Sequence, residues 1–144
     1  MKAEILKGAE TTERRFLSGL WEVMCETAGR WEAKAAACDL NLRHINEDMG
    51  FLGGFLNAGL ETGIISADET WELSDTLEIL GEEGDEMAAA SWSRRNEIER
   101  AIYDLGYGYS YPEITCIDET RAKVVWRNES MEGIYDFARH TFVD

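Results

Sequence analysis

The two histidines, His44 and His140, are the first residues to test for chemistry, because imidazole can bind metals and transfer protons. Glu47 and Asp48 follow His44 at the third and fourth positions, so the three side chains would share one face of a helix. Zinc sites in proteins use at least three ligands of the His, Cys, Asp or Glu type. No second His or pair of Cys completes such a set at a recognisable spacing. We therefore expect no metal, and interpret His44 as a surface residue flanked by ion-pairing partners.

The sequence lacks the short motifs of catalysis and phosphate binding. G-x-S-x-G, H-E-x-x-H, the P-loop and G-x-G-x-x-G do not occur. Gly50, Gly53 and Gly54 lie in a helical pattern with no strand before them, which favours close helix packing over a phosphate loop. Carboxylate pairs are abundant, but acid–base catalysis needs an environment that sets their pKa values apart. We expect a non-enzymatic protein with no cofactor and no catalytic residue.

Carboxylates are the dominant chemistry of this chain. Its 144 residues carry 29 acidic and 14 basic side chains, a formal net charge of −15. Residues 61–104 contain thirteen acids and three bases, and so contribute −10 of that charge. Ten acids follow one another there with no base between them, and we call them the acidic segment: Glu61, Asp68, Glu69, Glu72, Asp75, Glu78, Glu82, Glu83, Asp85 and Glu86.

The spacing of these acids predicts one charged helical line. Glu61, Asp68, Glu72, Asp75 and Glu82 are separated by seven, four, three and seven residues. Like charges at i,i+4 cost about 0.2–0.5 kcal/mol per pair, so stability alone would favour interleaved lysines. One interpretation is a solvated face that aids solubility. The other is a surface resembling a phosphate backbone, since ten carboxylates on such a helix give about one charge per 4 Å, against ~3.4 Å for one DNA strand.

A small acidic chain of this kind resembles the anti-defence proteins of phages and mobile elements. These include anti-CRISPR and anti-restriction proteins, several of which imitate DNA. The resemblance rests on residues 61–86 and on overall charge, and includes no family motif. It implies an inhibitor that occupies the nucleic-acid-binding surface of a basic partner, such as a CRISPR effector or a restriction enzyme, in the cytoplasm of a bacterial host. Direct binding to nucleic acid or to an anionic membrane is disfavoured, because both are bound through Lys and Arg.

An irregular aromatic tract supplies further candidate binding residues. It contains Tyr107, Tyr109 and Tyr111. Such a tract is more often a packed loop, yet tyrosine is enriched at interface hot spots. We therefore add the three tyrosines to the acidic segment as candidate partner-binding residues.

The N-terminal part of the chain predicts the longest element. Apolar residues over 17–56 step by four and three, which is a heptad seam and indicates a long amphipathic helical segment over 7–58. Either one helix spans it or two helices meet near residue 39 or 53. Trp21 and Trp31 lie in the seam and are expected in the core. We favour packing of the seam within the chain. Its packing in a homodimer gives the alternative function of a self-associating structural or adaptor protein.

The acidic segment belongs to a second helical region, over 61–106. Ser66 and Glu69 match a capping box, which predicts a helix start. Residues 81–84, Gly-Glu-Glu-Gly, are expected to end that helix, and a third helix is expected from about Asp85 to Leu105.

The last region, 107–144, changes in character. After the aromatic loop, residues 113–117 and 122–127 predict a β-hairpin, and apolar residues from Ile134 to Phe142 predict a last helix. The expected fold class is mainly α (α+β): a helical bundle with a long N-terminal helix or helix pair, and a small C-terminal β-hairpin plus helix, in a single domain over 1–144.

The cysteines and the hydropathy pattern bear on the compartment. There are three cysteines, an odd number without C-x-x-C spacing, so reduced thiols are expected. No apolar run has the length of a signal peptide or a membrane span. We therefore expect a cytoplasmic protein that does not bind membranes.

Overall fold

A computed structural model describes residues 2–107, 111–126 and 130–143, with side chains from Thr12 onward. Three helices precede four strands: α1 (Lys2–Ala36), α2 (Leu42–Glu61), α3 (Ala67–Asp104), β1 (Glu113–Cys116), β2 (Arg121–Trp126), β3 (Met131–Asp136) and β4 (Thr141–Val143). The predicted mainly α fold class with a small C-terminal β region is confirmed. Within the described ranges, no helix is both long and apolar enough to cross a membrane.

The chain divides into two compact units. The helical unit comprises Met1–Trp31 and Leu42–Asp85, and the helix–sheet unit comprises Glu32–Asn41 and Glu86–Asp144. Each unit has its own cluster of buried apolar side chains. The interpretation of the chain as a single domain stays a prediction.

The long N-terminal segment is two helices that meet near residue 39, which is one of the alternatives predicted. It begins at Lys2 rather than at residue 7. Cys38 ends α1 with a φ of 52°, in the left-handed region. Asp39 N donates to Lys34 O at 2.8 Å and Cys38 N donates to Ala35 O at 3.0 Å, which is a Schellman motif formed without glycine.

The helical unit buries a stripe of α1 against α2 and α3. Trp31 is 1% exposed, as predicted, but Trp21 is 64% exposed and that prediction is wrong. The reason is the position of the stripe, which contains Leu20, Met24, Thr27 and Trp31 and so leaves Trp21 on its outer edge. The buried residues of the seam pack in a cluster formed by all three helices and the α2–α3 turn, which includes Leu52, Leu56, Ile65 and Leu77.

Glycines of α3 serve packing rather than helix termination. The prediction that residues 81–84 end a helix is wrong, because α3 continues through them. A Cβ on Gly84 would lie 2.7 Å from Cζ3 of Trp31, and one on Gly81 would lie 3.4 Å from Cε of Met49. The absent side chains therefore let α1 and α2 approach α3 closely. The expected close packing is wrong for three glycines of α2, where an added Cβ meets no atom within 4 Å: Gly50, Gly53 and Gly54.

The helix–sheet unit contains an antiparallel sheet of order β1-β2-β3-β4. The predicted hairpin is present as β1 and β2, with Ile114 opposite Val124. The predicted last helix is wrong, because its residues form β3 and β4, with Tyr135 opposite Phe142. Asp136 accounts for the chain reversal between these strands, since its Oδ1 accepts hydrogen bonds from the N–H groups of residues 138 and 139 at 2.9 and 3.2 Å.

One buried cation holds the irregular segments of this unit. Arg95 on α3 is 4% exposed and donates to Cys38 O at 2.5 Å and Pro112 O at 3.2 Å. Its guanidinium lies over the ring of Tyr111 at 4.4 Å. Arg95 therefore joins the end of α1 to the segment before β1, and its ion pair with Glu99, at 3.8 Å, is the longer contact.

Candidate protein-binding face

The start of α3 determines which way the acids point. Ser66 N donates to Glu69 Oε1 at 3.2 Å, and Glu69 N donates to Ser66 Oγ at 3.2 Å, so the predicted capping box is confirmed. A hydrogen bond with the side chain of Glu13 on α1, reinforced by those with Ser66, lowers the pKa of Glu69. The motif fixes the first residue of α3, and helix geometry then fixes the angle between each later side chain and that residue.

Most of the acidic segment lies on one helix. Eight of its ten residues belong to α3 within the helical unit, and we call these eight the acidic face: Asp68, Glu69, Glu72, Asp75, Glu78, Glu82, Glu83 and Asp85. Glu61 is the last residue of α2, so the predicted line of five acids is wrong in including it. Glu86 is the next residue of α3 and belongs to the helix–sheet unit.

The acidic face is centred opposite the buried side of α3. Buried residues recur every seven positions, at Thr70, Leu77 and Gly84. The acids nearest the opposite side are Asp68, Glu72, Asp75 and Glu82, all exposed. Eight carboxylates over 68–85 give one charge per about 3 Å of helix axis at the 1.5 Å rise, close to the ~3.4 Å of one DNA strand.

The carboxylates of this face form no ion pairs with the side chains that the structure describes. Among the described side chains, none of the ten acids of the acidic segment forms an ion pair. The helical unit does pair charges elsewhere, as between Arg30 and Asp48 at 3.3 Å. The acidic face therefore presents its negative charge to solvent, where it can attract a basic surface.

Two apolar side chains lie on the exposed side of the same helix stretch. Ile79 is 57% exposed and Trp71 is 73% exposed. Ile79 follows Asp75 by four residues and precedes Glu82 by three, so it lies on the line of the acids. This spacing alone places Ile79 among the acids.

A shallow groove opens beside Ile79, between α1 and α3 of the helical unit. Its volume is about 230 Å³. We call it the Trp21 groove, and its lining residues are Trp21, Met24, Cys25, Ala28, Thr76, Ile79, Leu80 and Glu83. Small-molecule sites typically measure roughly 300–1,000 Å³, so this groove suits one or two protein side chains better than a ligand.

Two of the three candidate tyrosines make contacts within the helix–sheet unit. Tyr107 packs edge-on against Trp126, with ring centroids 5.9 Å apart. Tyr111 donates its hydroxyl hydrogen bond to Asp39 Oδ1 at 3.0 Å. Tyr109 lies outside the described residues. Tyr107 and Tyr111 therefore make contacts within this unit while Tyr111 stays 66% exposed, and a role in partner binding stays a prediction.

The carboxylates near His44 are engaged with other groups. Glu47 pairs with Arg43 at 2.9 Å, and Asp48 accepts a hydrogen bond from Trp31 Nε1 at 2.7 Å. In the part of the chain that the structure describes, no group of three His, Cys, Asp or Glu side chains could hold a metal ion.

Comparison of the chain with protein-family models, with curated proteins and with solved structures finds no match.

Proposed function

We propose that this protein is a non-enzymatic inhibitor that binds a basic partner through the acidic face and occupies the surface on which that partner binds nucleic acid. The observation that supports this proposal is the acidic face itself, in which seven acids are exposed and Glu69 is half-buried. None of the eight forms an ion pair among the described side chains.

The charge density and the rigidity of the acidic face both favour binding to a basic surface. The acids repeat along α3 at nearly the spacing of phosphates, and the packed helix holds them in place before binding. A cleft lined by Lys and Arg would attract such a face at long range and increase the association rate. The face costs stability through like-charge repulsion, so a binding role explains an arrangement that stability alone does not.

The resemblance to anti-defence proteins supplies the finer part of the proposal. The partner is a CRISPR effector, a restriction enzyme or another defence nuclease, and the protein acts in the bacterial cytoplasm as a product of a phage or mobile element. Because such nucleases bind DNA or RNA through basic clefts, blocking the cleft prevents their action without any chemical step.

A pair of matched charge variants tests the proposal. The face variant carries Glu72→Lys, Asp75→Lys and Glu78→Lys. The control variant carries Asp104→Lys, Glu113→Lys and Glu119→Lys, three exposed acids of the helix–sheet unit. Both change the net charge from −15 to −9, since each substitution adds two charges. Circular dichroism verifies that both variants fold.

Each protein is immobilised and exposed to a lysate from bacteria expressing defence nucleases, and retained proteins are identified by mass spectrometry. We expect wild type and the control variant to retain a basic nucleic-acid-binding protein that added duplex DNA or RNA displaces. We expect the face variant not to retain it. Equal retention by the face variant, or a partner that no nucleic acid displaces, would contradict the proposal.

A further inference from the structure

An exposed apolar side chain, Ile79, lies among the acids of the acidic face. A surface that only imitated the phosphates of DNA would not need it. Trp21 and Ile79 are both more than half exposed and lie across the Trp21 groove from each other. The lining also includes Met24, which is buried, and Leu80, so most of the groove's surface is apolar. Exposed apolar surface enclosed by charge marks an interaction site more often than a solvated surface does.

The charge around the groove selects its occupant. The one charged side chain in the lining is Glu83, and Asp75 and Glu82 flank Ile79 on the exposed side of α3. Arg30 of α1 follows the lining residue Ala28 by two positions, but its guanidinium pairs with Asp48 at 3.3 Å. Arg14 and Arg15 precede Trp21 by about two helical turns. A second copy of this chain, with a net charge of −15, would bring two acidic surfaces together.

We infer that the Trp21 groove binds an amphipathic helix of the partner, with bulky apolar side chains in the groove and Lys or Arg side chains against the acidic face. Two packed helices with a groove between them accept a third helix through anchors three or four residues apart. This inference rests on the proposed function for the basic character of the occupant. It adds that the contact is a helix, which is the element that many nucleic-acid-binding proteins insert into a duplex.

Two synthetic peptides test the inference. The apolar peptide is fluorescein-labelled, about 18 residues or five helical turns long, with Lys on one face and Leu and Trp on the other. The Ala peptide has the same lysines, and each Leu and Trp is replaced by Ala. Fluorescence anisotropy against the full chain is expected to show roughly tenfold or tighter binding of the apolar peptide. Equal affinity for the two peptides would overturn the inference.

Protein variants show where the preference arises. Trp21→Ala is expected to remove the preference for the apolar peptide, whereas Trp92→Ala, an exposed tryptophan of α3 in the helix–sheet unit, is expected to leave it. A preference that survives Trp21→Ala would overturn the inference. If the face variant loses the partner while Trp21→Ala changes nothing, the groove inference fails and the proposed function stands. If Trp21→Ala removes the preference while the face variant still retains the partner, the proposed function fails instead.

Two cysteines provide an independent readout. Cys25 is exposed and lines the groove, and Cys116 is exposed in the helix–sheet unit. Saturating apolar peptide is expected to slow alkylation of Cys25 by iodoacetamide and leave Cys116 unchanged, as followed by mass spectrometry. Unchanged alkylation of Cys25 would overturn the inference. Protection of Cys25 that increases with protein concentration, without peptide, would also overturn it and assign the groove to a second copy.

Discussion

Gly84→Ala tests whether the close approach of the Trp31 ring requires glycine at this position of α3. Alanine is favoured over glycine in a helix by about 1 kcal/mol, which by itself would stabilise the protein. The new Cβ, however, would lie 2.7 Å from Cζ3 of Trp31 and 3.0 Å from Cε3 and Cη2. That ring is buried, and its Nε1 donates a hydrogen bond to Asp48 at 2.7 Å, so it has little room to move.

Overpacking of a buried site costs about 1–3 kcal/mol, and the short contact places this case toward the upper end. After subtraction of the helix propensity gain, we expect Gly84→Ala to lower the free energy of unfolding by about 1–2 kcal/mol. Gly54→Ala in α2 is the control, because its Cβ meets no atom within 4 Å, and it should raise the free energy by about 0.5–1 kcal/mol. Urea unfolding followed by circular dichroism measures both. Stabilisation by Gly84→Ala equal to that of Gly54→Ala would refute the packing argument.

Three further predictions concern the helix–sheet unit, each measured by urea unfolding. Arg95→Met should lower the free energy of unfolding by about 2–4 kcal/mol, because two buried carbonyl groups lose their hydrogen-bond donor at about 1–3 kcal/mol each. A decrease below about 1 kcal/mol would contradict this prediction. Burial raises the pKa of Tyr135 from 10.0 to about 12, so the folded protein keeps a proton that the unfolded chain loses between pH 10 and 12. The free energy of unfolding of wild type should therefore fall over this range, and that of Tyr135→Phe should fall less. Equal falls in the two proteins would exclude Tyr135 as the cause. Hydrogen bonds from Arg121, and from backbone N–H groups, lower the pKa of Asp118 from 3.8 to about 2, so its stabilisation is present above pH 4 and is lost toward pH 2. In Asp118→Asn, the free energy of unfolding should therefore fall less steeply between pH 4 and pH 2 than in wild type. An unchanged slope would show that Asp118 does not cause this loss.

The parts of the fold that could be predicted from the sequence depend on local chemistry. The capping box of Ser66 and Glu69 satisfies backbone groups within four residues, and so needs no knowledge of the rest of the chain. The same holds for Gly63 and Gly106, which follow α2 and α3 with φ of 74° and 93°. The heptad seam likewise indicated the helices of the N-terminal half, because amphipathic periodicity reflects burial of one side.

The parts that could not be predicted depend on distant residues. Gly84 resembles a helix stop in the sequence, and only the ring of Trp31, more than fifty residues earlier, shows why glycine is needed inside α3. The turn between β3 and β4, residues 137–140, contains neither Gly nor Pro. It is formed instead with the Asp136 carboxylate and a positive φ of 55° at His140. Apolar side chains there fit a helix or a strand until the pairing with β2 is known.

The candidate site shows the same division. The exposed acids of α3 follow from charge and periodicity, because an unbroken row of carboxylates is rarely buried. The Trp21 groove could not be predicted in this way, because it depends on which side of α1 packs inward. Because the buried side of α1 is centred on Leu20, Met24 and Trp31, the side chain of Trp21 is exposed and lines a groove instead of lying in the core.

The central claim is that the acidic face and nucleic acid compete for one surface of the partner. The most direct measurement titrates a labelled duplex onto the purified partner at several fixed concentrations of this protein. We expect the apparent Kd of the duplex to rise in proportion to the wild-type concentration, and to stay constant with the Glu72, Asp75 and Glu78 face variant. A ternary complex of partner, duplex and wild-type protein, with no change in the apparent Kd, would contradict the account.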